Sequence, residues 1–343
     1  MSNAPLVHLS DLQKRLRVFA VWEKVRNDGK VHWAIECFAE MFGVFLYVYF
    51  GLGSTAGWVI GNIIKETNLS SILQIGLAYA FGIWFAIGLC SSSSGGHFNP
   101  CVTLSFVVFK GFPKLKACRY IIAQILGAYI ASALVYSQWN VLIEECTLGL
   151  IKAKAYDTTM FTPNGPAGIF ALYLVPGAQS VPRALLNEFV NSTLIGMIIW
   201  AALDPTNMMV PPAMGPLFIS LAYAAVIWGF ATPAVALNTA RDLGARLFAM
   251  SIWGTKAAGS GYSAIACLIN IPATLLGVFL YEVFFTDSDR VVSPAALTIM
   301  NAHANHRRLH HGHGEADKRD STEKPTITTY EHAGGNGVEV SHV

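Results

Sequence analysis

Charge is what this sequence has least of. Only 13% of its 343 residues are Asp, Glu, Lys or Arg, about half the usual quarter. So few ionised groups cannot cover the surface of a soluble globule, and 53% of the residues are hydrophobic. The same composition excludes whole-chain disorder. A net charge of +2 leaves no basic excess for holding nucleic acid, so none is expected as a partner. The six cysteines, at 37, 90, 101, 118, 146 and 267, have no CxxC spacing, so neither a disulfide scaffold nor a metal site is expected from them. A secretory leader is not expected either: residues 1–31 scatter Lys and Arg and hold no apolar core ending in a cleavage site. These absences leave an integral membrane protein.

What is present is a series of long apolar stretches. Six are long enough to cross a bilayer: 32–53, 71–91, 115–139, 184–203, 214–232 and 262–285. Residues 1–31 read as a polar cytoplasmic segment, and 286–343 as a polar, mostly disordered tail with a helix around 294–309. In the first segment Ser10-Asp11-Leu12-Gln13 matches a capping box opening an amphipathic helix, with Leu12, Leu16, Phe19 and Val25 on the side expected to pack under the membrane domain. Lys and Arg concentrate in residues 1–31, in the link between spans two and three (Lys110, Lys114, Lys116, Arg119) and in the tail. Both ends are therefore expected on the cytoplasmic side. The long loop 140–183 falls outside, and so does the glycosylation sequon at Asn68. A second sequon at Asn191 lies inside a span. In the tail, His310, His311 and His313 are either metal ligands or a solvated stretch, and Thr286, Ser288, Ser321 and Thr322 are candidate phosphorylation sites.

Two apolar pieces fall outside the span count. Residues 99–109 follow a serine-glycine run, and 238–250 follow Pro233. Each covers about half of a 30 Å hydrocarbon core, so the two cross it only end to end. Glu40 opens the first span and Glu188 the fourth, and each half (32–139 and 184–285) carries its short piece after its second span. Three spans per half make the halves enter from opposite sides. The chain is therefore expected to be an all-α membrane protein, with six transmembrane helices and two re-entrant half-helices in an inverted repeat. Asn99 and Asn238 sit at the N-cap of each half-helix, and Pro100 occupies a first-turn position that needs no donor. Facing helix N-termini set up a positive barrier to cations and protons, while a neutral hydroxyl can accept hydrogen bonds there. Glu40 and Glu188 read as acceptors for the backbone of their re-entrant loops, or else as ion-binding groups. The second reading makes the protein an ion-coupled secondary transporter.

Ser94-Gly95-Gly96-His97-Phe98-Asn99-Pro100-Cys101 and Leu237-Asn238-Thr239-Ala240-Arg241-Asp242-Leu243-Gly244 resemble the paired NPA boxes of the aquaporin family. With the Glu40 and Glu188 helices the likeness covers about 32–285. It implies one pore per protomer, a homotetramer in a lipid bilayer, probable work at the plasma membrane, and no cofactor or covalent chemistry. Asp242 with Arg246 four residues on, and Pro272, resemble the glycerol-conducting branch. By spacing from the asparagines, the outer filter carries over to Tyr79, Val235, Arg241 and Val226, or Ala225 if the loop has one more residue. Water and small neutral solutes, glycerol first, are the implied permeants. The boxes depart from the family pattern at Cys101 and Thr239. Cys101 faces either packing or the pore, and His97 is either a loop-bonding ring or a pH switch.

Overall fold

The computed structural model describes residues 9–311 except Thr67, Pro176, Ala178, Gln179 and 232–234, with side chains to Ala302, and two short stretches near the C-terminus. The tail candidates His310, His311, His313, Ser321 and Thr322 lie outside the described side chains.

The helices, in order, are α1 (Leu9–Leu12), α2 (Arg17–Arg26), α3 (Gly29–Ile64), α4 (Ile72–Ser94), α5 (Pro100–Lys110), α6 (Lys114–Lys152), α7 (Tyr156–Thr159), α8 (Val181–Leu203), α9 (Gly215–Phe230), α10 (Thr239–Trp253), α11 (Tyr262–Phe284) and α12 (Pro294–His311). Five of them, α3, α4, α6, α8 and α11, are long and apolar enough to cross a membrane, and α9 is a shorter apolar helix of 16 residues. Their starts follow from local chemistry. Asp28 accepts from Lys30 N at 2.9 Å to cap α3, and Ser71 accepts from Gln74 N at 3.2 Å to cap α4. Inside α11 a π-turn, Ile265–Ile269, precedes Pro272. That widened turn absorbs the hydrogen bond a helix-interior proline cannot make.

The two halves repeat one packing plan. In the first, α3 packs on α4 and α6; in the second, α8 packs on α9 and α11. The short helices cross over, α5 lying against α11 and α10 against α6. Close approach is allowed by glycine. A methyl group at Gly127 would overlap the Met41 carbonyl between α6 and α3, and one at Gly277 would overlap the Thr193 carbonyl between α11 and α8. Large apolar side chains such as Phe81, Phe85, Ile122 and Phe279 stay exposed on the outer surface, as a body surrounded by lipid or by copies of itself requires.

Three expectations change. The N-terminal helix breaks in two: Ser10 lies inside α1 instead of capping a long helix, and α2 starts only after Leu16. The break lets Arg15 reach Glu23 at 2.9 Å, a pair that a continuous helix would hold about 12 Å apart. Leu12, Leu16, Phe19 and Val25 are exposed and do not pack beneath the body. Second, the loop expected from 140 is helical to Lys152. At 36 and 39 residues, α3 and α6 run about 54 and 58 Å, well past a 30 Å core. Beyond it Ile143, Cys146 and Leu150 pack with Met160, Ile169 and Phe170 into a cap. Third, the tail is not wholly irregular. The described residues divide after Thr298, and the second unit pairs Tyr330–His332 with Gly335–Gly337 as antiparallel strands.

Candidate pore and its central constriction

Each buried glutamate organises the loop ahead of a half-helix. Glu40 accepts from Ser94 Oγ at 2.6 Å, His97 N at 2.9 Å, Phe98 N at 2.7 Å and Gln124 Nε2 at 2.7 Å. Glu188 accepts from Ala236 N at 2.6 Å, Leu237 N at 2.8 Å and Ser192 Oγ at 3.2 Å. Both carboxylates are fully buried, so their charge persists only because N–H and O–H donors converge on it. The bonds hold a strained backbone. Phe98 and Leu237, the residues before the two asparagines, have φ of 48° and 58°, a left-handed conformation that costs about 1–3 kcal/mol for a side-chain-bearing residue.

That turn aims the asparagines. Asn99 Oδ1 accepts from Cys101 N at 2.9 Å, and Asn238 Oδ1 accepts from Ala240 N at 2.9 Å and Arg241 N at 3.2 Å. Each amide then crosses to the other half: Asn99 Nδ2 donates to the Leu237 carbonyl at 3.0 Å, and Asn238 Nδ2 to the Phe98 carbonyl at 2.9 Å. The half-helices, of 11 and 15 residues, meet N-terminus to N-terminus and measure about 39 Å together.

Pro100 opens α5 at a position that needs no donor, and Ala240 is fully buried at the start of α10. The departing residues touch each other. Cys101 Sγ lies 3.5 Å from Thr239 Oγ1, which donates to Asn270 Oδ1 at 2.8 Å. Cys101 and Asn270 have no exposed surface, so this short chain ties both half-helix starts to α11 from within the protein. His97 is also enclosed. Its Nδ1 sits 3.2 Å from Thr103 Oγ1, and its ring stacks on Phe106 with centroids 4.4 Å apart.

Toward the cap, Arg241 and Tyr79 come together. Arg241 donates Nε and a terminal nitrogen to the Tyr79 hydroxyl at 3.0 and 2.8 Å, and another terminal nitrogen to the Phe170 carbonyl at 2.8 Å. Val226 and Val235 share an apolar cluster with Leu237 and Val102, while Ala225 points outward. Asp242 does not face this level. It accepts from Arg246 Nε at 2.8 Å and from Leu172 N at 3.0 Å, and Arg246 donates to the Leu172 and Ala258 carbonyls at 2.7 and 2.9 Å. The pair clamps α10 to the cap. Asn68 is exposed between α3 and α4, and Asn191 is buried in α8. Among the described residues no group of three or more His, Cys, Asp or Glu side chains is placed to hold a metal ion.

Residues 29–260 match the description of the family named Major intrinsic protein. The chain belongs to the major intrinsic protein family. It is 64% identical over 330 residues to an aquaporin of the fungus Laccaria bicolor, covering 95% of this chain and 100% of that one. It is 32% identical over 253 residues to aquaglyceroporin-2 of Rhizophagus irregularis, covering 72% of this chain and 76% of the relative. Its fold resembles the X-ray structure of the aquaglyceroporin from Plasmodium falciparum, with a TM-score of 0.60 and 20% identity over 73% of this chain and 96% of that one. A major intrinsic protein is an integral-membrane channel and not an enzyme.

Within this major intrinsic protein, reading the sequence missed Tyr47, Tyr223, Gln124, Asn270 and Phe170. Tyr47 OH accepts from Asn238 Nδ2 at 2.7 Å and donates to the Phe98 carbonyl at 3.3 Å; Tyr223 OH accepts from Asn99 Nδ2 at 3.4 Å. A signal for Tyr47 existed, since it stands seven residues after Glu40 on the same face of α3. Phe170 acts through its backbone carbonyl, which no side-chain pattern marks.

Proposed function

We propose that the chain is a passive channel for water and small neutral solutes, glycerol foremost, that rejects ions and protons. The meeting of two half-helix N-termini at Asn99 and Asn238 carries this reading. Each end presents about half an elementary positive charge, which opposes a cation but leaves a hydroxylated neutral solute unpenalised. Arg241 adds a full charge at the outer filter, where Tyr79 supplies a hydroxyl and Val226 and Val235 an apolar wall against the carbon skeleton of a polyol. The name aquaglyceroporin carried by relatives supports the same permeants. Glu40 and Glu188 serve as scaffolds and not as ion sites: each carboxylate is engaged by at least two backbone N–H groups, which argues against the coupled transporter. The working unit is a homotetramer in the plasma membrane with both termini cytoplasmic, a reading supported by the basic residues of the N-terminal segment and the uncovered apolar surface.

Stopped-flow light scattering of reconstituted vesicles tests this. Water efflux should be fast, glycerol should follow its own gradient without saturation or dependence on membrane potential, and Glu188→Gln should reveal no ion coupling. Vesicles that swell in water gradients but never take up glycerol would overturn the glycerol assignment.

A further inference from the structure

We infer that the Tyr223 hydroxyl, with Tyr47 as its counterpart on the other asparagine, is the polar group that a permeating solute meets at the centre of this pore. The inference rests on the channel reading above and names a determinant of selectivity within it.

An asparagine amide has two N–H donors. Here both are spoken for on both residues. Asn99 Nδ2 gives one to the Leu237 carbonyl and points the other at Tyr223 OH, 3.4 Å away; Asn238 Nδ2 gives one to the Phe98 carbonyl and the other to Tyr47 OH at 2.7 Å. The asparagines are 3% and 5% exposed, so no amide surface is left over for a solute. The tyrosines differ from each other. Tyr47 passes its own hydrogen on to the Phe98 carbonyl at 3.3 Å and is 4% exposed, which makes it a latch. Tyr223 is half-buried, and its bond with Asn99 uses only the phenol oxygen as acceptor, leaving the hydroxyl hydrogen to be donated.

The chemistry at the centre changes accordingly. Two amide N–H groups can serve two neighbouring hydroxyls of a polyol at once. One phenol serves a single oxygen, and two aromatic rings narrow the passage. Water needs one donor at a time and is affected less. Tyr223 also lies three residues before Val226 on α9, so the filter and this hydroxyl occupy successive turns of one helix face.

The test is a pair of permeabilities measured on the same vesicles. Tyr223→Phe keeps the ring, removes the hydroxyl and releases one Asn99 N–H toward the lumen. The ratio of glycerol to water permeability should rise about three- to tenfold, the worth of one net hydrogen bond. Tyr47→Phe should release an Asn238 donor and shift the ratio in the same direction by less. Both variants should elute as monodisperse protein. A ratio unchanged in Tyr223→Phe, including a parallel drop in both fluxes as from a merely structural tyrosine, would overturn the inference even if Tyr47→Phe fails to fold. A wild-type protein that passes neither solute would instead remove the channel reading, and this inference with it. Wild-type flux of both with no shift in ratio removes the inference alone.

Discussion

At the scale of single residues, the body tolerates ionised groups only where donors meet them. Asp242 is fully buried, and Arg246 is 4% exposed beside it with a closest nitrogen–oxygen distance of 2.7 Å. Removing one partner strands the other. Asp242→Ala should cost about 3–5 kcal/mol and lower the thermal unfolding midpoint of detergent-purified protein, while Asp242→Ala with Arg246→Leu should recover part of the loss. If the single variant melted like wild type, the clamp between α10 and the cap would be energetically idle. Residue identity made much of this legible in advance. Glu40, Glu188, Asn99 and Asn238 stood at matching places in two halves, and polar groups at membrane depth are few enough to notice. Tyr47 and Tyr223 were not, because an aromatic residue in an apolar helix looks like packing until its hydroxyl is seen to bond Asn238 or Asn99.

At the scale of elements, glycine contacts fix how closely helices cross. The α3–α6 crossing at Gly127 and the α8–α11 crossing at Gly277 each bring a glycine onto a neighbouring backbone carbonyl. Leucine at either position forces backbones apart, at well over the ~1–3 kcal/mol of ordinary overpacking. Gly127→Leu and Gly277→Leu should abolish the monodisperse peak in size-exclusion chromatography, whereas Gly53→Ala, with open space around it, should leave it intact. Element ends were harder to read than element centres. Apolarity reports the edge of the bilayer, not the end of a helix, so α6 was expected to stop near 139 although Ile143, Cys146 and Leu150 continue one buried face. The N-terminal break was equally hidden, since capping-box residues fit a short turn as well as a long helix.

At the scale of the molecule, the exposed apolar side chains around the spans require lipid or neighbouring copies to cover them. For a 37.1 kDa chain, light scattering corrected for bound detergent should return a particle of four chains. A strictly monomeric particle in mild detergent would count against the tetramer. The inverted repeat explains why the global architecture could be inferred without any structure: odd span numbers per half and paired half-helices admit few arrangements. The cross-bonding between halves has no such signature.

That cross-bonding bears on how the molecule is made. Asn99 finds its acceptors on Leu237 and Tyr223, and Asn238 finds its own on Phe98 and Tyr47. While the ribosome is still synthesising α8, the first half already holds an asparagine amide and the strained Phe98 with nothing opposite them. Neither half can finish its own centre, so the narrowest point of the pore is assembled last, as the two halves close. A duplicated ancestor would have met the same condition, which favours two facing copies over one copy acting alone.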